Sequence, residues 1–292
     1  MHTPRLSRRR LLQLLAATGL GLPTLLQRVS AGSPGNPTGR TRFLAVADFG
    51  SGDANQRAVG AQMGRVHQQR PVDLVILGGD NIYPSGDIAL VESTFQKPYR
   101  ELIAAGVPFH AVLGNHDIRT ANGNPQVAYK PFGMRGRFYT LRQGLVEFFM
   151  LDTNGNADWK TRLPWLQQAL SRSTAPWKVV VGHHPIYASG VYGKDPAAIR
   201  RLTPLFKRYD VALYINGHEH HYERSRSLAG TTYLVVGGGG AHLRPVFASD
   251  TTAFARSTFS FAELEATRSS LTITGWDSKG QRIDQAVLGL PA

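Results

Sequence analysis

The chain has 292 residues, 42% of them hydrophobic, with 31 glycines, 17 prolines and a formal charge of +13. These values exclude a disordered tail protein, a collagen and a coiled coil, and a single apolar run near the N-terminus excludes a polytopic membrane protein. The absence of cysteine rules out disulfides, thiolate metal sites and cysteine nucleophiles, so any transition metal must sit on His, Asp, Glu, Asn or Tyr.

Part of the charge is confined to the first residues. Residues 1–31 hold five arginines and no acid, so 33 basic residues less 5 leaves 28, against 20 acidic, or +8 for the remainder. That surplus favours soluble anionic partners and implies no specific nucleic acid. Arg8, Arg9 and Arg10 precede an apolar stretch from Leu11 to Leu26, diluted by Thr18, Gly19, Gly21 and Pro23. Paired arginines before a mildly apolar segment resemble a bacterial twin-arginine export signal. Val29, Ser30 and Ala31 offer a small-residue cleavage site after Ala31. The expected consequences are use of the twin-arginine export machinery, a periplasmic or secreted product, and no stable membrane insertion after cleavage. Residues 32–40 read as a flexible linker, and 41–292 as one domain.

The body then alternates strands and helices. Phe43–Ala47 is a short apolar run ending at Asp48. Val59, Met63 and Val66 recur at helical spacing. Asp73–Leu77 is the next strand, ending in Gly78, Gly79 and Asp80. A helical segment over Phe95–Ala104 leads to a strand at Phe109–Leu113, followed by Gly114, Asn115, His116 and Asp117. Val146–Leu151 ends at Asp152, and Pro164 is expected near the start of a helix carrying Leu163, Leu166 and Leu170. Lys178–Val181 runs into Gly182, His183 and His184. Asp195 is expected to cap a helix that Pro204 kinks or divides. Val211–Ile215 leads to Gly217, His218, Glu219 and His220, and Tyr233–Val236 runs into four glycines. Beyond residue 257 the pattern changes to antiparallel strands. The repetition predicts an α/β sheet.

The chemistry-bearing residues gather at strand ends. Asp48, Asp80, Asn115, His183, His218 and His220 each follow a predicted strand. In open α/β sheets, ligands bind at the carboxyl ends of the strands. Six oxygen or nitrogen donors can therefore meet on one rim although they are distant in sequence.

The ordered set Asp48-x-Gly50, Gly79-Asp80-x-x-Tyr83, Gly114-Asn115-His116-Asp117, Val180-x-x-His183 and Gly217-His218-x-His220 resembles the calcineurin-like metallophosphoesterases, and within them the tartrate-resistant-type purple acid phosphatases. The resemblance spans about residues 41–245. Most superfamily members carry Asp-x-His at the first motif. Position 50 here is Gly, and Tyr83 stands where the purple acid phosphatases supply a tyrosine instead. The resemblance implies a four-layer α/β/β/α sandwich, its second sheet expected mainly from the C-terminal strands, and two metals. Asp48, Tyr83 and His220 would hold Fe(III). Asn115, His183 and His218 would hold a second, divalent metal (Fe, Zn or Mn), with Asp80 bridging.

Hard oxygen donors suit ferric iron, and imidazoles suit a divalent ion. His116 would contact phosphate or protonate the leaving group. His184 would line the phosphate pocket or support it, and Asp117 would orient His116 or Asn115. The implied function is an exported acid phosphatase that hydrolyses small phosphate monoesters by attack of a metal-bound hydroxide. A phosphodiesterase of the same fold, or a low-turnover metal- or phosphate-binding protein, remains open; His116 argues against the latter. In the family, the loop after the fourth motif often brings a Glu or His over the substrate. The corresponding segment Ile186–Asp195 offers only Tyr187, Ser189, Tyr192 and Lys194. His221 and His242 are expected to serve packing or the surface, and Gly237–Gly240 to form a tight turn beside the site.

Overall fold

The computed structural model describes residues 39–290. The export signal expected at 1–31 and most of the linker lie outside the described residues.

The parallel core is laid down first. It comprises β1 (Thr41–Val46), α1 (Ala54–Gln69), β2 (Leu74–Leu77) and β3 (Phe109–Ala111). A second set follows: β4 (Tyr139–Gln143), β5 (Val146–Met150), α2 (Trp159–Arg172), β6 (Trp177–Val181), α3 (Pro196–Arg208) and β7 (Val211–Asn216). The chain closes with β8 (Tyr222–Ser225), β9 (Thr232–Val236), β10 (Thr252–Arg256), β11 (Ser260–Ala266), β12 (Ser270–Asp277) and β13 (Arg282–Gly289).

These strands make two sheets, ordered β13-β12-β11-β1-β2-β3 and β10-β8-β9-β7-β6-β5-β4. The antiparallel strands after residue 257, expected to be the main basis of the second sheet, do not build it. They widen the first, because β11 pairs antiparallel with the free edge of β1. The second sheet is built from residues 139–256, around the parallel set β5-β6-β7-β9.

Period-two alternation creates the layers. Phe43 and Ala45 of β1 join Phe148, Val179, Leu213 and Leu234 in a core between the sheets. Their neighbours Leu44 and Val46 face Val59 and Met63 of α1. On the far side, Phe149, Val180 and Tyr214 pack on Leu166 and Leu170 of α2 and on Leu202 and Phe206 of α3. The order is therefore α/β/β/α. Phe43 and Phe148 meet edge to face across the central core, with ring centroids 4.9 Å apart.

Local chemistry shifts some helix bounds from those expected. Asp195 does cap α3, accepting from the Ala197 and Ala198 amides, but Pro204 does not divide the helix. Pro164 lies inside α2, whose cap is Asp158. Both prolines sit on exposed faces, and the carbonyls they leave without partners belong to exposed Lys160 and Arg200, within reach of water. The helix expected over 95–104 is split into a π-helical turn, Glu92–Gln96, and an α-helical turn, Arg100–Ala104. Pro98 between them has no N–H for a continuous ladder.

The inter-sheet core carries a direct test. Phe148→Ala is expected to cost about 3–5 kcal/mol in urea unfolding. Phe247→Ala, at a side chain 75% exposed, should change stability by no more than about 0.5 kcal/mol.

Candidate metal centre

The carboxyl ends of β1, β2, β3, β6 and β7 open on the same rim. Asp48 ends β1, and its amide donates to Gly79 O at 3.0 Å, which ties it to the turn after β2. The Gly217 amide donates to His183 O at 3.0 Å, joining the turns after β7 and β6. Asp48, Asp80 and His218 all adopt left-handed backbone, with φ of 54°, 52° and 69°. Each such residue costs about 1 kcal/mol or more. Asp and His tolerate this region better than most side chains.

Seven side chains expected as metal ligands from the sequence are brought together. One group contains Asp48, Tyr83 and His220. The Tyr83 hydroxyl lies 3.2 Å from Asp48 Oδ1 and 3.3 Å from His220 Nε2, and His220 Nε2 lies 3.4 Å from Asp48 Oδ1. The other contains Asn115, His183 and His218. Asn115 Oδ1 lies 3.1 Å from His183 Nε2 and 2.8 Å from His218 Nδ1. Asp80 Oδ2 belongs to both, 3.0 Å from the Tyr83 hydroxyl and 3.5 Å from His183 Nε2.

Backbone carbonyls orient two of the imidazoles. His183 Nδ1 is bonded to Gly78 O at 3.0 Å and His220 Nδ1 to His242 O at 2.7 Å. Each ring therefore spends its Nδ1–H on the main chain and turns Nε2 toward the carboxylates, the arrangement a metal-ligating histidine needs.

The electrostatics favour a cation. Burial opposes charge on Asp80, yet His183 beside it and the His116 amide hold its carboxyl well below the usual range. Burial would likewise lower His183, but Asp80 and Asp48 push it up to about 9. Burial and the same two carboxylates push the Tyr83 phenol far above its ordinary value. The cage is thus anionic enough to draw a proton onto its own imidazole. A metal ion would take over that positive charge, free His183 to ligate and permit Tyr83 to ionise. Carboxylate, phenol, amide and imidazole donors in two overlapping sets fit a pair of metals, hard on one side and borderline on the other.

Gly50 explains why no histidine stands in the first motif. A Cβ there would lie 2.1 Å from the carbonyl oxygen of Asn81. The same contact zone delivers the tyrosine, because the Tyr83 amide donates to Gly50 O at 2.8 Å.

The three residues expected to act beside the metals divide differently. His116 borders the cage, with Nε2 4.0 Å from Asp80 Oδ2 and its ring edge to face with Tyr83. Its Nδ1 is held by Pro84 O at 2.7 Å, and Arg119 Nη2 donates to its Nε2 at 3.1 Å.

Asp117 makes no hydrogen bond to the His116 ring or the Asn115 side chain; it acts on their turn through the Gly114 amide. It is fully buried and accepts from the amides of Asn81, Ile82 and Gly114 and from the side chains of Asn81 and Gln126. It fastens the second motif to the third.

His184 is also braced from behind. Thr153 Oγ1 accepts the amides of His183 and His184, so its own hydrogen goes to His184 Nδ1 at 2.9 Å. Burial and His183 lower the His184 pKa to about 4. The ring is a neutral Nε2–H donor rather than an acid.

Sequence reasoning did not find Gln126, Thr153, Arg119, Glu219 or Arg244. Only Thr153 carried a signal, since it follows a strand end at Asp152. His221 is buried against Glu223, with Nε2 to Oε2 3.1 Å, and His242 is exposed, as expected of packing and surface residues.

The calcineurin-like phosphoesterase family model matches residues 41–222. Purple acid phosphatase 7 of Arabidopsis thaliana is 31% identical, over 71% of this chain and 74% of that protein. Tartrate-resistant acid phosphatase type 5 of Oryctolagus cuniculus is 27% identical, over 83% of this chain and 89% of that protein. Among solved structures, GAP50, the anchor in the inner membrane complex of Plasmodium, superposes with a TM-score of 0.77 at 21% identity. That match covers 87% of this chain and 90% of that one.

Asp117→Asn tests the scaffold. It places an amide donor among N–H donors, and the expected loss is about 1.5–3 kcal/mol in urea unfolding. Metal content should fall together with stability, measured on purified protein. Unchanged stability would remove the fastening role.

Proposed function

The chain belongs to the calcineurin-like phosphoesterase family and, within it, to the purple acid phosphatases, and from that premise we propose that it is an exported, binuclear acid phosphatase. The family makes it a metal-dependent phosphoric monoester hydrolase. The finer reading assigns Fe(III) to Asp48, Tyr83 and His220, and a divalent Fe, Zn or Mn to Asn115, His183 and His218, with Asp80 shared. The observation that carries it is the shared position of Asp80 Oδ2 between the two donor sets. A metal pair held there supplies Lewis acidity toward the phosphoryl oxygens and the nucleophile of hydrolysis.

The chain's own residues complete the reaction. His184 offers Nε2–H as a neutral donor to a phosphate oxygen. His116 keeps its Nδ1–H on Pro84 O, which turns Nε2 toward the cage; the leaving oxygen would take its proton through Nε2, in place of the Arg119 contact made there. The partial exposure of His116 leaves room for a leaving group beside it. Export rests on Arg8, Arg9 and the apolar stretch that follows.

Elemental analysis of protein taken from its native export route, with a visible spectrum, tests the metal assignment. Iron and a charge-transfer band are expected in the wild type. Tyr83→Phe should lose the band and keep the fold. A colourless protein full of zinc or manganese would replace the ferric reading with an all-divalent one.

His183→Ala and His218→Ala are expected to lose most of the second metal and nearly all turnover of 4-nitrophenyl phosphate. His116→Ala should retain both metals and lose about 10²-fold in rate. Faster turnover of bis-(4-nitrophenyl) phosphate would make the enzyme a diesterase. Replacing both Arg8 and Arg9 by lysine should hold the precursor in the cytoplasm, and normal export of that variant would remove the twin-arginine route.

A further inference from the structure

The first sheet is covered by α1 over β1, where Leu44 and Val46 meet Val59 and Met63. Its extension β11-β12-β13 leaves part of the same face open. Period-two alternation puts Glu263 and Glu265 of β11 there with Thr272, Thr274 and Trp276 of β12. The register sets Glu263 beside Thr274, Thr274 beside Gln285, and Trp276 beside Arg282. With Arg70, which caps the C-terminus of α1, these side chains line a pocket of about 200 Å³. It lies toward the start of β1, where Arg42 pairs with Glu265, and the metal-site turns lie at the other end of that strand.

Some of the pocket's charge is neutralised from within. Arg42 Nε donates to Glu265 Oε2 at 2.8 Å, and its Nη2 donates to the same oxygen. Arg70 Nη2 and Trp276 Nε1 both donate to Glu263 Oε2, at 2.7 and 2.9 Å. The indole is thereby fixed by its N–H, and Glu265 Oε1 keeps no protein donor. The rest is unspent. Among the described residues, the side chains of Thr272, Thr274, Arg282 and Gln285 have no hydrogen-bond or ion-pair partner. Thr274 is only 7% exposed. A hydroxyl so deeply placed ordinarily finds a partner in the protein. The direction left to this one is the pocket.

We propose that this pocket binds an acidic sugar, a hexuronate, and that it does so independently of the metal centre. Threonine hydroxyls and a glutamine amide both donate and accept, as sugar hydroxyls do, and Glu265 Oε1 adds an acceptor. The held indole offers apolar surface to the C–H face of a sugar ring. Arg282, the guanidinium without an acid, matches one carboxylate through two parallel N–H bonds. A polyphosphate fits poorly, because a single unspent cation stands beside two glutamates. The reading does not depend on phosphatase chemistry, and would place a sugar-binding face on the protein apart from its catalytic rim.

Nuclear magnetic resonance of the metal-loaded full chain tests the site. The probes are the methyl glycosides of glucuronate, galacturonate and glucose, with acetate as a bare carboxylate. The readout is the indole N–H resonance of Trp276, assigned with Trp276→Phe. At least one uronoside is expected to shift that resonance saturably and to bind about tenfold more tightly than the glucoside. Arg282→Ala should erase this advantage. Thr274→Val and Gln285→Ala should each weaken binding of the uronoside about fivefold. Lys207→Ala, on the exposed face of α3, should leave it unchanged.

Arg282 and Gln285 are exposed and partnerless, so their variants should keep the wild-type urea midpoint and the turnover of 4-nitrophenyl phosphate. No saturable shift with either uronoside would overturn the proposal. So would a uronoside affinity unchanged in Arg282→Ala, or acetate reproducing the uronoside shifts at equal affinity. Turnover lost in Arg282→Ala with its fold intact would overturn the independence from the metal centre. Uronoside binding by a protein that hydrolyses no phosphate ester would uphold the pocket and overturn the phosphatase reading alone.

Discussion

Burying Asp48 and Asp80 side by side is the constraint from which the rest of the molecule follows. Taking one such charge out of water costs several kcal/mol unless it is paired and hydrogen-bonded. Each carboxylate meets the demand in the same way. One oxygen is tied to a main-chain amide: His218 N–H donates to Asp48 Oδ2 and His116 N–H to Asp80 Oδ1, both at 2.8 Å. The other oxygen faces the phenol and the imidazoles. The amides that fix the acids thus belong to two of the site's own histidines. The fifth motif clamps the acid of the first, across the junction of the two sheets, and the third motif clamps the acid of the second. Losing any one of these turns releases a charge elsewhere in the site.

This interlocking accounts for the strained backbone. Asp48, Asp80 and His218 are the residues whose left-handed angles aim two carboxylates and one imidazole at a common space. Strain of this kind persists only where the surroundings over-determine it. Here the determinants are the N–H to carboxylate hydrogen bonds just described and the buried Asp117 beneath the second and third motifs. Asp117 acts on no substrate, yet it sets where Asn81, Ile82 and Gly114 lie, and hence where Asp80 and Asn115 point.

The strand-end residues were legible in the sequence because each lies just past an apolar run, and Asp80, Asn115, His183 and His218 directly follow a glycine. Asp48, Asp80, Asn115, His183, His218 and His220 needed no knowledge of side-chain packing to be grouped. Tyr83 was legible only jointly with Gly50. The supporting residues were not, because their partners are remote in the chain. Gln126 meets Asn81 from 45 residues away, and Glu219 binds amides 26 to 28 residues before it, and neither has a local pattern. The sheet to which the last strands belong was hidden for a related reason. Alternation identifies a strand and its buried face, but pairing of β11 with the edge of β1 joins residues more than 190 apart. Pro164 lies inside its helix and Pro204 does not divide its own, because a proline on a wet helix face frees a carbonyl that solvent can satisfy.

The overall fold does not by itself decide the chemistry, since unrelated functions can share one fold and the sandwich superposes with a TM-score of 0.77 on a protein described as an anchor. The decision lies in a few coupled choices, and the Gly50–Tyr83 pair shows how tightly they are coupled. The turn that brings the Asn81 carbonyl within 2.1 Å of any Cβ at position 50 leaves no room for a histidine there. The next turn of the same segment hangs from Gly50 O through the Tyr83 amide and delivers a phenol into the cage. A histidine at position 50 would push away the segment that carries Tyr83. A side chain other than tyrosine at 83 would leave that half of the site with one neutral imidazole, one carboxylate of its own and the shared Asp80. The two positions are coupled, so a phenol rather than an imidazole completes this half of the site because of the backbone path as much as the tyrosine itself.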